Sequence, residues 1–170
     1  MNESIDDISL WLHARPFQDN PEWVEPIAVQ TFSTWDEWVN KGRKIPDLEN
    51  RLTWILERDK DPVNRSATAL ALGFVGQDHS IPALITSLDS DVPIVAMEAA
   101  ASLGRLGISK AIGPLCEALK NVDANVRANA CTALGTIGGE TALSCLKGAE
   151  RDKDPFVQSA AKEALKTQAR

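Results

Sequence analysis

"DANVRANACTALGTIG", residues 123–138, has three relatives in the same chain: "DPVNRSATALALGFVG" (61–76), "DVPIVAMEAAASLGRLG" (91–107) and "DPFVQSAAKEALK" (154–166). A catalytic motif occurs once, whereas a segment that recurs four times is architecture. Aligned on glycine the period is 31, through Gly73, Gly104 and Gly135, with Lys166 in the fourth slot. Leucine precedes each of these positions, as Leu72, Leu103, Leu134 and Leu165. A second glycine follows three residues later, at Gly76, Gly107 and Gly138. A fixed period of this length is the signature of stacked helical units, each burying its apolar face against the next.

Within a unit the pattern predicts two helices. Asp61, Asp123 and Asp154 suit the N-cap of the first, helix A, because a carboxylate there accepts from orphan amides of the first turn. Pro62 and Pro155 fall at the first helical position, where a missing N–H costs nothing. In the second unit, shifted by one residue, Asp91 and Pro93 are expected in these roles. Helix A is expected to end at the leucine–glycine pair, with the glycine in a left-handed C-terminal conformation. Ala67, Ala71, Ala99, Ala130, Ala133 and Ala161 line its inner face, where small side chains let helices approach closely. Helix B follows a short turn, and Leu84, Leu115 and Leu146 keep the period. Its other apolar positions fall at helical spacing, giving one buried stripe.

An incomplete first unit precedes these copies. "TWDEWVNKG" ends at Gly42, one period before Gly73, and Thr34 with Glu37 reads as a capping box. "IPDLENRLTWILERD" then places Ile45, Leu48, Leu52 and Ile55 on one face. The expected fold is an all-α, right-handed α-solenoid of about four and a half helix pairs with an irregular aromatic N-terminal cap. Its boundaries are an arm over 1–32 and repeats over 33–170, divided as 33–60, 61–90, 91–122, 123–153 and a half unit at 154–170.

The pattern D-x-x-V-R-x-x-A-x-x-A-L-G resembles the short HEAT-like repeats of phycobilisome-lyase proteins, and residues 123–138 match it in full. The first copy departs with Asn64 for valine, the second with Ala96 for arginine and the fourth with Gln158. The resemblance spans roughly residues 45–170. It implies the fold and leaves several activities open, since such families hold bilin lyases, di-iron peptide hydroxylases, DNA glycosylases and plain scaffolds. The hydroxylase type is marked by repeated His-Glu pairs, and neither His13 nor His79 is followed by glutamate. Both are read as surface histidines.

The 170 residues are 44% hydrophobic and 25% charged, as in an ordinary globular protein. No apolar run approaches the ~20 residues of a membrane helix, and no basic stretch precedes apolar residues at the N-terminus, so neither membrane nor signal peptide is expected. The net charge of −6 is concentrated in residues 1–38, which carry −7, while residues 39–58 carry +2 and the rest −1. Nucleic-acid binding needs clustered Lys and Arg to displace phosphate counterions, and no cluster occurs. Cys116, Cys131 and Cys145, without a C-x-x-C pair, read as reduced, buried thiols of a cytoplasmic protein.

The remaining candidates divide between structure and binding. The pairs Asp59/Asp61, Asp89/Asp91 and Asp152/Asp154 read as caps and turns rather than a calcium site, which needs six or more converging oxygens. Arg65 and Arg127, four residues after their aspartates, suit an anionic ligand or, as expected here, an Asp–Arg ladder between units. All five tryptophans lie in the first 54 residues, with Phe17 and Phe32 beside them. They read as a lid over the open end of the stack, or alternatively as a binding surface. The expected function is that of a non-enzymatic scaffold or adaptor for a protein partner, without cofactor or metal. Its polypeptide lies on the concave B-helix face at Thr86, Ser87, Glu117, Lys120 and Lys147, with Trp11 and Trp23 from the arm. The alternative is a bilin lyase or lyase subunit.

Overall fold

Four first helices, each of 14 residues and each displaced by one period, form the spine of the computed structural model, which describes Ile8, Leu12 and residues 35–168. In chain order the described helices are α1 (Trp35–Gly42), α2 (Leu48–Arg58), α3 (Pro62–Val75), α4 (Ile81–Ser87), α5 (Pro93–Leu106), α6 (Ile112–Ala118), α7 (Ala124–Ile137), α8 (Glu140–Ala149) and α9 (Pro155–Gln168). The A helices α3, α5, α7 and α9 pack successively on one another, while the B helices α2, α4, α6 and α8 run alongside. The fold is an all-α solenoid of HEAT-like helix pairs.

Caps begin the A helices. The Asp61 carboxylate accepts from the Val63 amide at 2.9 Å, Asp123 from Asn125 at 2.8 Å, and Asp154 from Phe156 at 2.8 Å. The second unit differs from expectation. Pro93 keeps the period and opens α5, but Val92 holds the N-cap position and makes no side-chain cap; Asp91 lies one residue too early and is exposed.

The period-defining glycines do not end helices. Gly73, Gly104 and Gly135 lie inside α3, α5 and α7 without positive φ, which corrects the left-handed reading. Their role is close approach: a Cβ on Gly104 would stand 2.7 Å from Ala133 Cα, and one on Gly135 2.6 Å from Ala164 Cβ. Of the second glycines, Gly107 makes the left-handed turn with φ 67°, Gly138 has a positive φ of 76° with an extended ψ, and Gly76 is extended with φ −70°. Helices α3, α5 and α7 therefore continue two residues past the leucine–glycine pair.

The core is continuous along the stack. Leu72, Leu103 and Leu134 from the A helices and Leu84, Leu115 and Leu146 from the B helices are fully buried. So are Val95, Val126 and Val157, one period apart, and the alanines of the seam. Inter-unit hydrogen bonds supplement this packing. Ser102 Oγ donates to the Ala69 carbonyl at 2.8 Å, and Gln168 Nε2 to that of Leu134 at 3.0 Å. At the N-terminal end, Glu49 of α2 accepts from the Gln77 and Ser80 amides at 2.7 and 3.0 Å and so serves the start of α4.

Of the aromatic arm, Ile8 and Leu12 are buried members of the same core, and Trp38 on α1 is fully buried, edge-to-face with Phe74 at 6.0 Å. The Arg105 guanidinium covers the Phe74 ring 4.3 Å from its centre. Trp54, by contrast, is 56% exposed. Trp11, Trp23, Phe17, Phe32, His13 and the Thr34 half of the capping box lie outside the described residues. No described helix is long and apolar enough to cross a membrane.

Candidate functional site

Heptad-like burial on one side of each B helix leaves the opposite side to solvent. Thr86 on α4, Glu117 on α6, Lys120 just after α6, and Lys147 on α8 are exposed, and Ser87 is half-buried. Thr86 and Ser87 donate their hydroxyls to the carbonyls of Pro82 and Ala83 at 3.0 and 2.8 Å, leaving oxygen lone pairs to accept from a ligand. Glu117 and Lys120 form an exposed ion pair at 2.7 Å, and Lys147 has no ion-pair partner among the described residues. A cleft of about 540 Å³ opens between α2 and α4, with Thr86 and Ser87 on one wall and Arg65 rising from the first turn of α3. A second, of about 410 Å³, lies between α7 and α9 beside Thr132 and Phe156. The sites expected at Trp11 and Trp23 lie outside the described residues.

The two arginines expected to form a ladder behave differently. Arg127 is 3% exposed and pairs in fork geometry with Asp152 of the next turn, Nε to Oδ2 at 2.8 Å and Nη2 to Oδ1 at 2.9 Å. Its third nitrogen donates to the Asn121 and Val122 carbonyls at 2.8 and 3.1 Å. The guanidinium's hydrogen bonds hold the Asp152 carboxyl below its ordinary range, and the carboxylate raises the arginine in return. Arg65 has no such pair, and its buried Nε lacks a hydrogen-bond partner. The ladder therefore has one rung.

The acidic pairs serve turns. Asp59 accepts from the Asp61 amide and Asp152 from that of Asp154, both at 2.8 Å, while Asp61 and Asp154 cap helices. In the second unit Ser90 takes the turn role, accepting from Val92 at 3.2 Å, and Asp89 and Asp91 remain exposed. Among the described residues no group of three His, Cys, Asp or Glu is placed to hold a metal ion.

The cysteine expectation is corrected. Cys116 and Cys145 form a disulfide between α6 and α8, with Cα atoms 5.8 Å apart. Cys116 follows Leu115 and Cys145 precedes Leu146, and those buried leucines are one period apart, which puts the two sulfurs on the seam between neighbouring B helices. That register was the available signal. The disulfide also removes the argument from reduced thiols to a cytoplasmic location. Cys131 alone is free and fully buried, its thiol pushed up to about 11 by burial.

One surface feature was not anticipated. Val63, Ile94 and Phe156 occupy the same repeat position, with Asn125 in the remaining copy, and stand 57%, 48% and 58% exposed at the starts of α3, α5 and α9. The period of 31 would have found this row had outward positions been aligned as carefully as inward ones.

Comparison with known proteins agrees with this geometry. A HEAT-repeat family model matches residues 27–104 and 81–166. Human deoxyhypusine hydroxylase, solved with glycerol, is similar with a TM-score of 0.64 and 25% identity; the match covers 71% of this chain but only 43% of that one. The complex of CpcE and CpcF of phycocyanin lyase from Nostoc sp. PCC7120 is similar with a TM-score of 0.65 and 22% identity, over 90% of this chain and 70% of that one. No curated protein sequence gives a significant match. Two overlapping family matches across residues 27–166, on helix pairs that stack through a repeated small-residue seam, establish that the chain belongs to the HEAT-repeat family.

Proposed function

We propose that the protein is a non-enzymatic scaffold or adaptor that binds a partner polypeptide along its B-helix face. Residues 33–170 form the interaction body and residues 1–32 an arm that closes its N-terminal end. The observation that carries this reading is the face itself. Successive B helices present exposed polar side chains, Thr86, Glu117 and Lys147, from one continuous buried core, and a cleft with polar walls opens between α2 and α4. Extended surfaces of this kind bind by distributing contacts over about 800 Å² per partner. Thr86, Ser87, Glu117, Lys120 and Lys147 would supply the polar contacts, and Trp11 and Trp23 the aromatic ones.

The test is affinity capture with the intact chain and mass spectrometry. Lys120→Glu with Lys147→Glu should lose partners that the wild type retains, while Lys162→Glu, exposed on α9, should keep them. Equal capture by both variants would refute the B-helix face. The competing reading is a bilin-lyase subunit, built on the fold shared with the phycocyanin-lyase complex. Visible absorption of the purified protein mixed with a linear tetrapyrrole separates the two, because a tightly held chromophore would displace the scaffold reading.

A further inference from the structure

The repeat contains an internal comparison at Arg65. Four equivalent positions carry Arg65, Ala96, Arg127 and Gln158. The carboxylate that neutralises Arg127 comes from Asp152, 25 residues further on, and the same step from Arg65 leads to Ser90. Ser90 cannot replace it: a hydroxyl carries no charge, and its oxygen already accepts from the Val92 amide. Asp61, the nearest acid in sequence, caps α3 through the Val63 amide, and Asp59 accepts from Asn64 Nδ2 at 3.0 Å and from the Asp61 amide. The Arg65 guanidinium thus stands at the floor of the cleft between α2 and α4 with a buried Nε unsatisfied and no carboxylate within 4.0 Å among the described residues. A buried donor left unmade is costly, and a fork of N–H groups matches a carboxylate in two parallel bonds.

The walls determine what can enter. Glu57, Asp89 and Asp91 line the same cleft, with Glu57 held by Arg58 at 2.7 Å. A free anion would meet their repulsion on the way to Arg65. A carboxylate flanked by Lys or Arg would meet attraction at the rim and a matching cation at the floor. We propose that this cleft is a peptide-binding slot that receives an Asp or Glu side chain flanked by basic residues, Arg65 gripping it in the place that Asp152 takes on Arg127. The inference rests on the polypeptide-binding reading above, and it gives Thr86 and Ser87 a defined role as acceptors for the peptide's backbone amides.

The probe is a fluorescein-labelled Gly-Lys-Lys-Glu-Lys-Lys-Gly amide, with a second peptide carrying Gln for Glu. The full-length protein should bind the first, and the Gln peptide should lose about tenfold, the loss of one charge-assisted pair. Two variants should match that loss: Arg65→Gln, which copies Gln158, and Ser90→Asp, which supplies the missing carboxylate from within. The Arg65 Nε–Hε resonance should move on adding the peptide, and should move the same way in Ser90→Asp without it. An unmoved resonance at saturating peptide, or undiminished binding by both variants, would overturn the slot. If the peptide binds yet ignores Arg65, this proposal fails while the wider face survives. Absence of binding defeats the slot too, and leaves the face to be judged by the capture experiment.

Discussion

Replacing Gly104 by alanine tests the packing logic of the stack, because two well-measured effects oppose each other there. Glycine in a helix interior is less favourable than alanine by about 0.8–1.0 kcal/mol, so propensity alone makes Gly104→Ala stabilising. Packing argues the reverse. The new methyl would meet Ala133 Cα at 2.7 Å and Ala133 Cβ at 2.9 Å, against the roughly 3.5–4.0 Å of an ordinary carbon contact. One of these atoms is backbone and the other a rigid methyl, so neither can rotate away. Helices α5 and α7 would have to separate by about 1 Å, loosening the buried alanines on both sides, and overpacking of this kind costs about 1–3 kcal/mol or more. The expected result of urea unfolding is a net loss of about 0–2 kcal/mol once the propensity gain is subtracted. Gly148→Ala on α8 is the control, since no atom beyond its own helix backbone and chain neighbours lies within 4 Å of its Cβ position and its φ is not positive. It should gain up to about 1 kcal/mol. A Gly104→Ala protein more stable than wild type, by the gain seen in the control, would refute close approach as the reason for the repeating glycine.

Three further outcomes are expected. Asp152→Asn strands the buried Arg127 cation and should cost about 3–5 kcal/mol in chemical denaturation. Because the Asp152 carboxyl titrates below its ordinary range in the fold, its contribution is complete above about pH 4 and disappears as the pH falls through the folded value, so the variant's acid limb should be flatter. Cys131 should resist iodoacetamide in the native protein at pH 8 and react once unfolded; its raised value means that stability declines as the pH climbs from about 9 towards 11, a decline Cys131→Ala should lessen. Reduction of the Cys116–Cys145 bond, which spans 29 residues, should cost about 3–4 kcal/mol. At this chain length that is roughly a 10 °C fall in the calorimetric midpoint, and Cys116→Ser should melt at the same temperature with or without reductant.

The features legible in the sequence were those enforced once per unit. Caps at Asp61, Asp123 and Asp154, leucines at 84, 115 and 146, and the alanine seam all repeat at 31, and a repeated constraint stands out against one sequence. Misreadings arose where one residue type satisfies two physical demands. Glycine serves both positive φ and close approach; the local pattern around Gly104 fits either, and only the neighbouring helix decides. Cysteine serves as a small apolar residue or half a crosslink, and the choice at Cys116 depends on a helix a full repeat away. Asp91 shows a third limit, for a cap depends on a single residue of register, which Pro93 fixes and Asp91 misses. Of the face positions, Thr86, Glu117, Lys120 and Lys147 are exposed as their helical phase requires. The difference between Arg65 and Arg127 is written in Ser90 and Asp152, but reading it requires knowing that a residue pairs with the next turn rather than its own.

The covalent link between α6 and α8 also decides how the protein comes apart. A stack whose units touch only their neighbours sheds them from the ends, each departure costing one interface. Loss of α9 is such a step, since α9 is bound to the rest by packing and hydrogen bonds alone. The next step is not equivalent, because α8 cannot diffuse from α6 while their sulfurs are joined. The third unit must therefore loosen with the second, making α5 to α8 a single cooperative block flanked by separately exchanging ends. Amide exchange that is slow and uniform across that block when oxidised should divide at the boundary between units when reduced.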